Sequence, residues 1–175
     1  MKRESWSKKK RALYIRRIAF VIAILIIALI QNTPKLFPTI LGFRAFLLIP
    51  LVICIAMFEK DLAAALMGAL AGALWDITSA TGDGFNALIL MLLGAATSLL
   101  ISYIMRNNLA TALLLGGMAI AIYILLHWFF FVICSGAEGG FVTLFTFYLP
   151  SLIYSFIFVP IFYIILRSFI RKIND

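Results

Sequence analysis

Six runs of mostly apolar residues fill this chain of 175 residues and constrain its fold more than any other feature. The hydrocarbon core of a bilayer is about 30 Å thick, so a helix that rises about 1.5 Å per residue needs about 20 apolar residues to cross it. The runs meet or approach that length at residues 18–36, 39–58, 62–78, 85–105, 109–134 and 141–166. They predict a protein that crosses a membrane several times.

The composition and pattern of these runs also predict the fold class. The chain is 65% hydrophobic and 13% charged, which is outside the range of a soluble domain. Backbone polar groups are satisfied in lipid by helices or closed barrels, and the runs lack the period-two alternation of barrel strands. We expect an all-α bundle of six transmembrane helices at 18–166, between a basic N-terminal segment at 1–17 and a short basic tail at 167–175.

The distribution of basic residues predicts the orientation. Lys and Arg accumulate on the cytoplasmic side of membrane proteins. With six helices, thirteen of the 15 basic residues fall on one side, and Lys35 and Arg44 fall on the other. Both termini are therefore predicted to be cytoplasmic.

The net charge of +8 is then expected to face anionic phospholipid. Nucleic acid is not an expected partner, because Trp6 and Tyr14 beside the first apolar run fit a membrane interface better.

Small residues line one face of the third run. Gly68 and Gly72 form a GxxxG pattern, and Asp76 follows four residues later on the same face. Small residues let two helices approach closely enough for van der Waals packing to stabilise them in lipid. We expect this face to form an internal packing seam instead of an oligomer interface, which would direct Asp76 towards protein.

A carboxylate inside a membrane protein needs a partner, and Arg44 is the candidate. Arg44 and Asp76 each lie sixteen residues from Lys60, at the centre of the turn between the second and third helices. Antiparallel helices would place both about 24 Å from that turn, where they could form an ion pair. Alternatively, Pro50 kinks the second helix and Arg44 extends to the outer interface.

A polar stretch, "ITSATGDGFN", separates the third and fourth helices at the predicted outer surface. Asp83 or Asn86 is expected to cap the fourth helix, because both residue types accept hydrogen bonds from the first amides of helices. The polar residues of the outer third suggest a small-molecule pocket or a docking surface. They are Arg44, Asp76, Asp83, Asn86, His127 and Glu138.

The motifs of catalysis and metal binding do not occur in the sequence. "ATGD" lacks the first glycine of the GxGD pattern of intramembrane aspartyl proteases, and the single histidine, His127, belongs to no cluster with zinc-ligand spacing. Neither a nucleophile elbow nor a phosphate-binding loop is present. We therefore expect no enzymatic activity, metal or cofactor.

The segment "GALAGALWDITSATGDGFNALILMLLG" resembles the signature of the bacterial rod shape-determining protein MreD family. Gly72, Asp76, Gly84 and Asn86 match the family pattern, whereas Trp75 and the additional "TGD" depart from it. The resemblance implies a non-enzymatic subunit of the cell-elongation machinery in the cytoplasmic membrane. Its implied partners are MreC and, through MreC, MreB and the peptidoglycan-synthesising RodA with its transpeptidase.

The alternative function is the substrate-binding component of an energy-coupling-factor vitamin transporter, which is also a compact six-helix protein. Ala19 and Ala23 form an AxxxA pattern of the kind that such components use to dock their transport partner. Small-xxx-small patterns are common in membrane helices. A vitamin that co-purifies with the chain would favour the transporter, whereas co-purification of MreC would favour the scaffold.

Overall fold

The computed structural model describes residues 2–33, 45–79, 83–134 and 140–174, and all regular secondary structure within these ranges is helical. Two π-helical segments occur: Phe129–Ile133 extends α5, and Leu144–Tyr148 connects α6 to α7. The all-helical class predicted from the apolar runs is confirmed. The helices are α1 Lys2–Asn32, α2 Leu48–Ala56, α3 Asp61–Asp76, α4 Phe85–Tyr103, α5 Leu109–Trp128, α6 Gly140–Thr143, α7 Leu149–Phe156 and α8 Phe158–Asn174.

The short helix α2 lies at the centre of the bundle. All nine of its residues are buried, and it packs against α1, α3, α4, α5 and α8. Its wholly apolar sequence suits this position, because every face of the helix meets protein. The helix expected over residues 39–58 is shorter in the described part of the chain, since residues 45–47 are not helical.

Side chains from two other helices bind the backbone where α2 begins. Gln31 of α1 accepts a hydrogen bond from the Leu48 amide at 2.9 Å, and Ser155 of α7 accepts one from the Phe46 amide at 2.8 Å. Pro50 is the third residue of α2, where a backbone N–H would have no partner within the helix. Pro50 therefore fits the first turn without interrupting the helix.

Among the described residues, four helical segments are long and apolar enough to cross a membrane: Arg11–Asn32, Phe85–Tyr103, Leu109–Ile133 and Phe141–Ile173. The other two long runs form shorter helices in the described part of the chain: α3 has 16 residues and α2 has nine. Large apolar side chains cover much of the outer surface, as expected where a helix bundle faces lipid. The chain is thus suited to cross a membrane several times.

The bundle has two chemically different ends, which we name after Glu59, two residues before α3, and Asp76, the last residue of α3. At the Glu59 end, Arg16 and Arg17 of α1 contact Glu59, and Asn107 contacts the carbonyl of Met57 at 2.6 Å. At the Asp76 end, α3 meets the start of α4. One of the two polar clusters described below lies at each end.

Candidate functional site

Helices α3 and α4 touch through their backbones along the small-residue face. A Cβ atom on Gly68 would overlap the carbonyl oxygen of Leu90, and one on Gly72 would overlap the backbone of Asn86. Gly94 of α4 makes the same kind of contact, because a Cβ atom added to it would lie 2.8 Å from the carbonyl oxygen of Ala64. The GxxxG face is therefore a seam inside the bundle, as the sequence predicted.

The seam places Asp76 at the N-terminus of α4. Asp76 is 7% exposed; its Oδ1 accepts a hydrogen bond from the Asn86 amide at 3.2 Å, and its Oδ2 accepts one from the Ala87 amide at 2.9 Å. These amides belong to the first turn of α4, which has no intrahelical acceptors for them. The carboxylate also carries negative charge at the positive end of the helix dipole. Asp76 is thus a helix cap supplied by the preceding helix.

The structure corrects the predicted cap of α4. The N-cap residue is Gly84, at a left-handed φ of 72° that favours glycine, and this residue has no side chain to cap the helix. Asp83 is exposed, and Asn86 directs its side chain to another partner. The sequence correctly predicted that a side chain caps α4, but the capping residue is Asp76 and not Asp83 or Asn86. Capping residues usually lie next to the helix that they cap, whereas Asp76 belongs to the preceding helix.

The predicted partner of Asp76 is not among the described residues. Arg44 lies outside them, so its pairing with Asp76 stays a prediction. The placement of Arg44 assumed a continuous second helix, whereas residues 45–47 are not helical. The two backbone amides already give the Asp76 carboxylate a partner for each oxygen.

Asn86 connects the cap to an aromatic cluster. Its Oδ1 accepts a hydrogen bond from the hydroxyl of Tyr123 on α5 at 2.5 Å, and both side chains are buried. The Tyr123 ring stacks on Trp75 with ring centres 5.2 Å apart, and Phe46 packs against both rings. Trp75, which departs from the family pattern, therefore helps to hold Tyr123 against Asn86.

A second polar contact lies beside this cluster. Nδ1 of His127 is 2.9 Å from the hydroxyl oxygen of Tyr148, and Phe85 packs edge-on against the His127 ring. Tyr148 closes one π-helical segment, and the other begins directly after Trp128. π-Helical turns often occur at functional sites. His127 thus belongs to a hydrogen-bonded aromatic group.

The Asp76 end thus joins five polar or aromatic groups from four elements into one corner. We call this set the Asp76 corner: Asp76, Asn86, Tyr123, His127 and Tyr148. Both Asp76 oxygens accept hydrogen bonds from backbone amides, Asn86 Oδ1 accepts one from the Tyr123 hydroxyl, and His127 Nδ1 contacts the Tyr148 hydroxyl. Within the described residues, no group of three His, Cys, Asp or Glu side chains could hold a metal ion. The corner is therefore organised as a packed structural unit.

Glu59 forms a second polar cluster, which was not predicted from the sequence. Its side chain is completely buried and forms ion pairs with Arg16 at 2.8 Å and with Arg17 at 3.3 Å. The Ser98 hydroxyl lies 2.7 Å from the Glu59 carbonyl oxygen and 2.9 Å from Oδ1 of Asp61. The pair of acids in "EKD", in a chain with few acids, was the available signal. The sequence predicts only a turn at this position, because an ion pair with the basic segment depends on how α1 packs.

Replacement of Glu59 by glutamine is expected to destabilise the bundle. Loss of one partner of a buried ion pair typically costs about 3–5 kcal/mol. We expect roughly 2–3 kcal/mol here, because Arg16 and Arg17 keep 21% and 39% of their side-chain surface exposed and stay partly hydrated. Thermal unfolding of purified protein in detergent measures this effect. Lys60→Gln, in the same turn but exposed, is the control, and an equal loss in both variants would contradict the assignment.

Comparison with known proteins identifies the chain. Residues 14–173 match the family model for the rod shape-determining protein MreD. Searches of curated proteins and of solved structures return no match. The family match gives no support to the transporter alternative, and it includes the GxxxG seam and the whole Asp76 corner. This chain belongs to the MreD family of rod shape-determining membrane proteins.

Proposed function

We propose that this chain is a non-enzymatic scaffold of the bacterial cell-elongation machinery that binds MreC. Through MreC it would act with MreB and with the peptidoglycan-synthesising RodA and its transpeptidase. The family match over residues 14–173 is the observation that carries this proposal. The protein would contribute the shape of its helix faces, and it would need no cofactor.

The packing of the Asp76 corner supports a scaffold role. Both oxygens of Asp76 accept backbone hydrogen bonds, so the carboxylate already serves as a helix cap. The backbone contact between α3 and α4 leaves these helices little freedom to separate. A rigid corner of this kind is suited to present a constant surface to a partner protein.

We further propose six membrane spans, with both termini in the cytoplasm and the bundle in the cytoplasmic (inner) membrane. Arg16 and Arg17 pair with Glu59, and Arg167 reaches the same end through the hydroxyl of Tyr163, which donates to Asn107. Lys60 and Arg106 are sequence neighbours of Glu59 and Asn107 and also lie there. The positive-inside rule favours a cytoplasmic position for such an end. This orientation would bring the basic groups of the Glu59 end against anionic phospholipid.

Depletion of the protein in a rod-shaped bacterium is expected to produce round cells, because cell elongation would lose its membrane scaffold. Cell length and width are measured by microscopy as the protein is depleted. In parallel, an affinity-tagged chain is extracted in mild detergent and probed for MreC. An unchanged cell shape with a vitamin requirement, or extraction without MreC, would contradict the proposal.

A further inference from the structure

A groove at the Glu59 end combines two arginines with apolar walls. It has a volume of about 380 Å³, and it lies between the start of α5 and the last turns of α8. This size is within the range of ligand sites in proteins. Its lining consists of Leu109, Tyr163, Ile164, Arg167, Ser168 and Arg171.

The spacing of the α8 residues explains why they share one face of the helix. Arg167 and Ser168 follow Ile164 by three and four residues, and Arg171 follows Arg167 by four, so all four side chains project to the same side. The guanidinium of Arg167 lies over the Tyr163 ring at 5.7 Å, and its Nη1 is 3.5 Å from the Tyr163 hydroxyl. These contacts hold Arg167 at the groove.

The charge of the groove is not neutralised by the described part of the chain. At the Glu59 end, the described carboxylate that forms ion pairs with arginine is Glu59, and its partners are Arg16 and Arg17 of α1. Arg167 and Arg171 are exposed, and neither forms an ion pair with a described residue. Two guanidinium groups with a nearby hydroxyl suit a phosphate, because the planar fork of arginine donates paired hydrogen bonds to phosphate oxygens.

The apolar side chains of the groove indicate that the phosphate belongs to a lipid and not to a soluble ligand. Leu109 and Ile164 line it, and Ile161 and Ile165 continue an exposed apolar surface along α8. A soluble phosphate would gain nothing from these side chains, whereas acyl chains would cover them. The groove also lies at the end of the span Phe141–Ile173, at the level where lipid headgroups are expected.

We propose that this groove binds the phosphate headgroup of one anionic phospholipid, with Arg167, Ser168 and Arg171 on the phosphate and Leu109 and Ile164 against the acyl chains. The proposal deepens the proposed contact with anionic lipid, since it assigns a specific site. It does not depend on MreC, because binding to purified protein would occur whatever the cellular role of the chain.

Lipid binding by the purified full-length chain tests the site. Detergent-solubilised protein is titrated with phosphatidylglycerol or with phosphatidylcholine, and bound lipid is counted by native mass spectrometry. We expect Arg167→Gln combined with Arg171→Gln to weaken phosphatidylglycerol binding at least about tenfold and to leave phosphatidylcholine binding unchanged. Because both side chains are exposed, the thermal unfolding midpoint should remain that of the unmodified chain.

A matched control removes the same charge at the same end. Lys60→Gln combined with Arg106→Gln replaces two exposed cations that do not line the groove. Phosphatidylglycerol binding should persist in this variant. An equal loss in both double variants would overturn the proposal in favour of diffuse attraction. Displacement of the lipid by millimolar inorganic phosphate would overturn it in favour of a soluble ligand.

The lysine variants provide a second measurement. Arg167→Lys combined with Arg171→Lys keeps the charge but loses the paired hydrogen bonds of the guanidinium groups. We expect binding intermediate between the unmodified chain and the glutamine variant. Full retention of affinity would contradict recognition of the phosphate by paired hydrogen bonds.

Discussion

Gly72→Ala is expected to prevent stable assembly of the α3–α4 hairpin. A Cβ atom at residue 72 would overlap the carbonyl group of Asn86 and the Cα atom of Ala87. These are backbone atoms, so α3 and α4 must separate to admit a methyl group. Separation would also draw the Asn86 and Ala87 amides away from Asp76. We expect a loss of roughly 3 kcal/mol or more in the free energy of unfolding, at the upper end of the range for overpacked sites.

The sign of this effect makes it diagnostic. Replacement of glycine by alanine inside an unobstructed helix stabilises it by up to about 1 kcal/mol. The predicted loss must therefore come from the contact between the helices. It is measured as a fall in the amount of protein that accumulates in the membrane and in its thermal unfolding midpoint in detergent.

Gly117→Ala is the matched control for the same change in another long helix. Its Cβ would lie 3.1 Å from the ring of Phe156, a side chain that can shift, so we expect a change within about 1 kcal/mol. Similar losses at residues 72 and 117 would show that α3 and α4 do not pack through their backbones.

Removal of the Asp76 carboxylate is expected to have the next largest effect. In Asp76→Ala, the amides of Asn86 and Ala87 lose their acceptors in a site that is shielded from water. A fully buried donor left unsatisfied costs about 1–3 kcal/mol; the Asn86 amide is buried and the Ala87 amide is partly buried, so we expect a total loss of roughly 2–5 kcal/mol. Asp76→Asn keeps one acceptor oxygen but loses the charge at the helix N-terminus, and it should fall between alanine and the unmodified chain.

Two measurements separate folding from function at this residue. Thermal unfolding reports the loss of the cap, and rescue of rod shape in depleted cells reports activity. Asp83→Asn is the control, because Asp83 is exposed in the same connection; we expect a change within about 0.5 kcal/mol. If Asp76→Asn were as stable as Asp83→Asn, the capping role would be wrong. If it accumulated normally but failed to restore rods, Asp76 would contribute directly to function.

The small-residue seam was predictable because its cause is local. Gly68 and Gly72 are one helical turn apart, and this spacing by itself places two residues without side chains on one face. The sequence did not show which helix packs against this face, since the same pattern also occurs at oligomer interfaces. Contact with Asn86 and Leu90 of α4 identifies the seam as internal.

The role of Asp76 could not be obtained in the same way. The sequence showed an acid at the end of the seam and a helix start nine residues later, but it indicated Arg44 as the partner and Asp83 or Asn86 as the cap. The cap depends on how closely α3 approaches α4, which is a distance between backbones. Trp75 and Tyr123 likewise meet because α5 lies beside this corner, although 48 positions separate them in the chain.

Apolar length, net charge and motif spacing are properties of neighbouring residues, so the amino-acid sequence was sufficient to predict the helical membrane-protein class and the family of this chain. The tertiary structure decided which donor meets which acceptor: Asp76 caps α4, Glu59 binds Arg16 and Arg17, and Asn86 accepts from Tyr123. These pairs join different helices. Hydrogen bonds and ion pairs require contact within a few ångströms, and that contact is set by how the helices pack.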